Sequence, residues 1–176
     1  RAPEACDLGH GHGDAVGVAH ERGDLADACP SAHHSPAADC CQHAIANDAN
    51  VMNNSWGYTD NNGSPAYGVG YTTRSRTWDG LVQDAHTGQS GIQPLVVVSA
   101  SGNGGSPEKI IEPWEAKNVL SVASSRNWRL STGVPGSGDI NAISSYSSRG
   151  NCKDGRLCPV VTAPGQYIVS ARYGTT

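Results

Sequence analysis

The sequence predicts an α/β domain with a parallel central sheet and helices on both of its faces. Three observations carry that expectation. Pro94-Leu95-Val96-Val97-Val98-Ser99-Ala100 is a continuous apolar run, the pattern of a parallel strand covered on both sides. Trp78, Leu81, Val82 and Ala85 recur at i, i+3, i+4 and i+7, the repeat of a helix with one buried side. Strand and helix patterns also alternate along the chain, as crossover-connected sheets require.

Taken in order, Ala38–Asp48 has helical character, with Cys41 and Ile45 on one face. Asn50–Trp56 reads as a strand, and Tyr58–Thr73 as a loop punctuated by Gly and Asn. The repeat through Trp78 predicts a helix over Arg76–His86, stopped by Gly88. Leu95–Val98 forms the central strand and runs into the tight turn Ser101-Gly102-Asn103-Gly104-Gly105. Asn118–Ala123 and Tyr167–Ala171 are two further short strands. No internal repeat or low-complexity tract interrupts the pattern.

A chain of 176 residues can bury one real core and is too short for two large domains. Its 37% hydrophobic and 16% charged residues exclude a charge-rich disordered tail. No apolar run approaches the roughly 18 residues of a membrane-spanning helix. A net charge of −4 gives no electrostatic reason to bind nucleic acid. Phe is absent, so the 4 Trp and 6 Tyr must supply the aromatic bulk of the core. Six cysteines permit full pairing in an oxidising compartment. Cys152 and Cys158 flank a turn-like segment that a local bridge could staple, whereas the adjacent Cys40 and Cys41 are expected to take different partners, with Cys6 and Cys29 as candidates. The chain opens at Arg1 without an initiator Met or apolar leader, and we expect it to be a portion of something longer.

Open α/β sheets bind ligands beyond the carboxyl ends of their strands. Two segments here end a strand in small, polar, Gly-containing residues: Asn54-Ser55-Trp56-Gly57 and Ser101-Gly102-Asn103-Gly104. Asn103 places an amide donor on a tight turn, as a developing oxyanion needs, although Asn and Gly are also simply good turn formers. In Gly9-His10-Gly11-His12-Gly13, a histidine between glycines can approach a substrate closely as a general base. The same pair, with His20, His33, His34, His43 and the cysteines, offers metal ligands, but the spacings fit none of the paired zinc signatures. A solvated loop histidine is the plain alternative.

In combination these pieces fall in a familiar order. A Gly-His-Gly near the start, Asn54-Ser55-Trp56-Gly57 after a strand, Val96–Asn103 in the middle and Ala163-Pro164-Gly165 near the end resemble the subtilisin-like serine peptidases, or subtilases. Ala116–Val122, Ser144–Gly150 and Asp154-Gly155-Arg156 also look like the family. The likeness is clear over residues 50–176 and divergent over 1–49, so 1–176 reads as one partial peptidase domain, an incomplete subtilisin-like α/β fold.

The resemblance implies a secreted, extracellular endopeptidase with an Asp, His, Ser triad in that chain order. It makes His12 the base, in Gly11-His12-Gly13-Asp14, with His10 as second choice; Asp14 stands where the family has Thr. It makes Asn103 the oxyanion donor. Ser55, Trp56, Gly57 and Ala100, Ser101, Gly102 match the two backbone segments that line the primary specificity pocket, the first of which pairs with the substrate as an added strand.

The family's Asp-Ser/Thr-Gly motif does not precede His12, and Asp7 is a poor substitute. Gly174-Thr175-Thr176 mimics the opening of the nucleophile motif, with Thr in the Ser place, but comes too early after Gly165. Nucleophile and acid are therefore expected outside this chain, which should be inactive alone. Peptide or protein substrates are the implied partners, with a propeptide or inhibitor beside them. No metal or other cofactor is assigned; calcium is common in the family, but no acidic loop matches a recognisable site. Two rival readings stand beside this one: a catalytically dead peptide-binding subtilase scaffold, and a His/Cys metal-binding protein.

Overall fold

The computed structural model describes residues 37–128 and 139–168. Helix α1 spans Ala37–Ala46, an alanine-rich stretch with no β-branched residue before Ile45. Asp39 in its first turn and His43 in its last suit the helix dipole, and it buries Cys41 and Ala44. Strand β1, Val51–Asn54, follows after a short turn.

Helix α2 runs over Thr73–Gln83, beginning and ending three residues earlier than the apolar repeat suggests. Its start is set by a reciprocal cap: the Ser75 N–H donates to Thr72 Oγ1 and the Thr72 N–H to Ser75 Oγ, both at 3.3 Å. The cap uses Ser where a Glu or Gln is the usual sequence signal. The expected stop at Gly88 is also corrected, because the chain already leaves the helix at Asp84, whose backbone is extended. Ala85 still reaches the core, fully buried.

Strands β2 (Val96–Ala100), β3 (Leu120–Arg126) and β4 (Val161–Gln166) complete a sheet of order β1-β2-β3-β4. Every pairing is parallel, with Val51 opposite Val96, Val98 opposite Leu120 and Val122 opposite Val161. The parallel sheet is as expected. The strand placed at Tyr167–Ala171 is not: the sheet uses Val161–Gln166 instead, and Tyr167 and Ile168 lie beyond its end. Residues 169–171 are outside the described residues.

One face of the sheet carries the core. Met52 and Val97 point from the strands toward Cys41 and Ala44 of α1 and Trp78 and Leu81 of α2, in one cluster with Leu95, Ile110 and Trp114. Trp56, Trp78 and Trp114 form a triangle with ring centroids 4.9–5.9 Å apart. Tryptophan thus supplies the bulk that a chain without Phe lacks. On the other face Val51, Val96, Leu120 and Val161 stay exposed, and a helix for that face is not among the described residues. No helix among the described residues is long and apolar enough to cross a membrane.

Cys152 and Cys158 are joined, as their spacing suggests, with Cα atoms 5.4 Å apart. Cys40 is disulfide-bonded, but Cys41 is a free thiol, which corrects the expectation of a partner for each. The helix turns Cys41 into the core, where it is fully buried.

Candidate active site

Because all four strands run the same way, their carboxyl ends lie on one edge of the sheet, where a ligand crevice is expected. There β1 runs on into Ser55-Trp56-Gly57 and β2 into Ser101-Gly102-Asn103. Ser55, Val98, Ala100, Ser124, Ala163 and Gly165 line a shallow groove on the uncovered face of the sheet, toward the carboxyl ends of the strands.

The first segment is fixed from behind. The Trp56 indole N–H donates to Asn54 Oδ1 at 3.0 Å, and Asn54 is fully buried. The Trp56 carbonyl accepts the indole N–H of Trp114. Gly57 offers backbone N–H and C=O groups that carry no hydrogen bond among the described residues. That leaves a short extended edge to which a peptide could add.

The second segment turns on Gly102, at φ +109°, a conformation side chains rarely adopt. Ser148 holds this turn from below. Ser101 Oγ donates to the Ser148 carbonyl at 3.0 Å, the Ser148 N–H donates to the Gly102 carbonyl at 2.8 Å, and the Gly104 N–H donates to Ser148 Oγ at 2.9 Å. Asn103 then stands exposed at the tip, its N–H donating to Tyr67 Oη at 3.1 Å. Its side-chain amide has no partner among the described residues and is free to donate to a ligand.

Between the two segments passes Ile111. Its N–H donates to the Ser101 carbonyl at 3.0 Å, and Glu112 beside it accepts the Tyr58 N–H at 2.9 Å. Glu112 also pairs with Arg74. The Tyr58 phenol is held above its ordinary pKa, first by burial, with the nearby Arg74 charge opposing and Glu112 adding to the shift. His12 and His10 lie outside the described residues, so no geometry relates them to Asn103. The other candidate ligands His20, His33 and His34 lie outside as well; among the described residues no three His, Cys, Asp or Glu side chains are grouped to hold a metal ion.

A model of the subtilase family of peptidases matches residues 24–176. The chain belongs to the subtilase family. The match takes in α1 and part of the stretch whose motifs are divergent, while His12 falls before it. This subtilase is also similar to the solved structure of the prenylagaramide maturation protease PagA, with 21% identity and a TM-score of 0.48 over 77% of this chain. It spans 38% of the length of that protease chain.

Sequence reading missed Ile111, Tyr67 and Ser148. Ile111 and Tyr67 sit in irregular segments where no periodicity marks a buried contact. Ser148 belongs to Ser144–Gly150, which looked like the family without suggesting a task; its task here is to brace the turn that presents Asn103.

Proposed function

We propose that this subtilase forms part of the catalytic domain of a secreted serine endopeptidase. The observation that carries the reading is the Asn103 amide, without a partner among the described residues, at the tip of a braced turn and on the same sheet edge as the open backbone of Gly57. An extended peptide pairs with Ser55–Gly57 and lays its scissile carbonyl beside Asn103. A serine hydroxyl from sequence beyond residue 176 adds to the carbonyl carbon while His12 takes its proton. Asn103 donates to the oxygen that gains the negative charge, His12 returns the proton to the leaving amine, and water hydrolyses the acyl-enzyme. Ala100–Gly102 forms the facing wall. Secretion is supported by the Cys152–Cys158 bridge, since such bonds persist in oxidising compartments.

The test uses the protein with its native flanking sequence. A fluorophosphonate probe should label one serine, and His12→Ala should abolish peptide hydrolysis. Asn103→Leu should lower kcat about 10²–10³-fold with little change in KM, the cost of one oxyanion donor. A protein that binds peptides but never labels would overturn the endopeptidase reading in favour of a peptide-binding scaffold.

A further inference from the structure

We propose that Ile111 fills the primary specificity pocket and restricts the residue before the scissile bond to Gly, Ala or Ser. The inference rests on the endopeptidase reading and names the substrate class of the same site.

The side chain of Ile111 forks between two glycines. Its Cγ1 and Cδ1 occupy the space that a Cβ on Gly57 would need, and its Cβ and Cγ2 lie 3.0 Å from where a Cβ on Gly102 would stand. One arm of the branch therefore reaches each wall of the gap between Ser55–Gly57 and Ala100–Gly102. Tyr67 closes the Gly102 side further, with Cε1 2.9 Å from the same Cβ position. A substrate side chain entering between the walls meets this branch. A methyl or hydroxymethyl group stops short of it; a leucine or aromatic ring would have to displace it.

Displacement is opposed by the backbone. The Ile111 N–H donates to Ser101 and its carbonyl accepts from Trp114, at 3.0 and 2.9 Å. On either side the Ile110 carbonyl accepts the Gly68 N–H and the Glu112 N–H donates to Ala66, both at 2.9 Å. Branching at Cβ restricts χ1 of an isoleucine, so the side chain does not fold away freely either. Part of it also packs on the core, alongside Trp56.

The experiment compares acylated tetrapeptide nitroanilides that differ only at the last residue, using the protein with its native flanks. The wild type should prefer Ala over Phe and Leu by at least about tenfold in kcat/KM, the scale on which pocket size discriminates. Ile111→Ala should raise the Phe and Leu values relative to the Ala value at least about tenfold. Should that variant fail to fold, Ile111→Val, which removes only the methyl nearest Gly57, should shift preference toward Val and Leu by a smaller factor. A wild type that hydrolyses the Phe peptide as well as the Ala peptide overturns the role of Ile111 and leaves the endopeptidase reading intact.

If no peptide is hydrolysed, the endopeptidase reading falls and calorimetric binding of the corresponding tetrapeptide acids decides. Ala-ended peptides bound more tightly than Phe-ended ones, with the order relaxed by Ile111→Ala, support the pocket assignment. Equal or undetectable binding overturns it.

Discussion

Arg74 Nη1 lies 2.9 Å from Glu112 Oε2, and the same guanidinium sits 4.1 Å over the ring of Tyr58. Helix α2 thereby grips the segment that carries Ile111. Glu112 is only 8% exposed, so removing its cation strands a largely buried carboxylate. Because half of Arg74 is in solvent, the effect is well below that of a fully buried pair. Arg74→Ala should cost about 1–2 kcal/mol in urea denaturation, and Arg74→Lys should recover part of it. An unchanged midpoint for Arg74→Ala would show the grip to be ornamental.

Asp79 is a second junction. Its Oδ1 accepts the Lys117 and Asn118 N–H groups at 2.6 and 2.7 Å, and Oδ2 accepts the Tyr71 hydroxyl at 2.7 Å. The carboxylate ties α2 to the chain just before β3. Asp79→Ala leaves two backbone donors without an acceptor and should cost about 2–4 kcal/mol. Asp79→Asn, which keeps one acceptor oxygen, should cost less. Thermal denaturation of the two variants at matched pH checks the order.

Glu115 should make stability depend on pH. It is 2% exposed, Oε2 accepts the Lys153 N–H at 3.0 Å, and Oε1 has no partner among the described residues. Burial holds its pKa above the ordinary 4.5, opposed by the Lys153 hydrogen bond and raised further by Asp154. The folded state therefore binds this proton more tightly than the unfolded state. The resulting stabilisation is complete below about pH 4.5 and is lost as pH rises through the raised value. Glu115→Gln should remove that slope, so the wild type loses ground to the variant from mildly acid to neutral pH. Parallel denaturation curves across that range would refute the assignment.

The cysteines should sort by reactivity. Non-reducing peptide mapping should recover Cys152 and Cys158 in one linked fragment. Opening that six-residue link by Cys152→Ser with Cys158→Ser should cost roughly 2–3 kcal/mol, the loop-closure value for so short a ring. Burial pushes the Cys41 thiol up to about 12, so iodoacetamide at pH 8 should leave it unmodified until denaturant is added. Rapid alkylation of native protein at Cys41 would contradict its place in the core.

The parts of the fold legible in the sequence were those with a period or an uninterrupted apolar run. The Leu95–Val98 run gave β2, and the Trp78 repeat gave the body of α2. The start of α2 was missed because Thr72 and Ser75 act through hydrogen bonds that leave no hydrophobic signature. Strand β4 was missed because Pro164 and Gly165 are depleted in strands and break any apolar alternation there. Pro164 is tolerated opposite Ser125 because β4 is the exposed edge strand of the described sheet, where a missing N–H costs little. The turn at Asn103 and the edge at Gly57 could be picked out as small polar residues closing strands. Ile111 could not, since an apolar residue in a loop gives no hint of which gap it enters.

The parallel sheet also has a consequence for how the chain reaches its fold. Each rung joins residues far apart in sequence: Val51 meets Val96, and Val122 meets Val161. No hairpin turn can nucleate such a ladder, so every strand must close a long loop before its first rungs form. Folding should be slow compared with a hairpin-built protein of this length, and during synthesis β3 waits for β4 with an unpaired edge and the exposed Leu120 beside it. That interval is when the polypeptide is most open to self-association, and most in need of a chaperone.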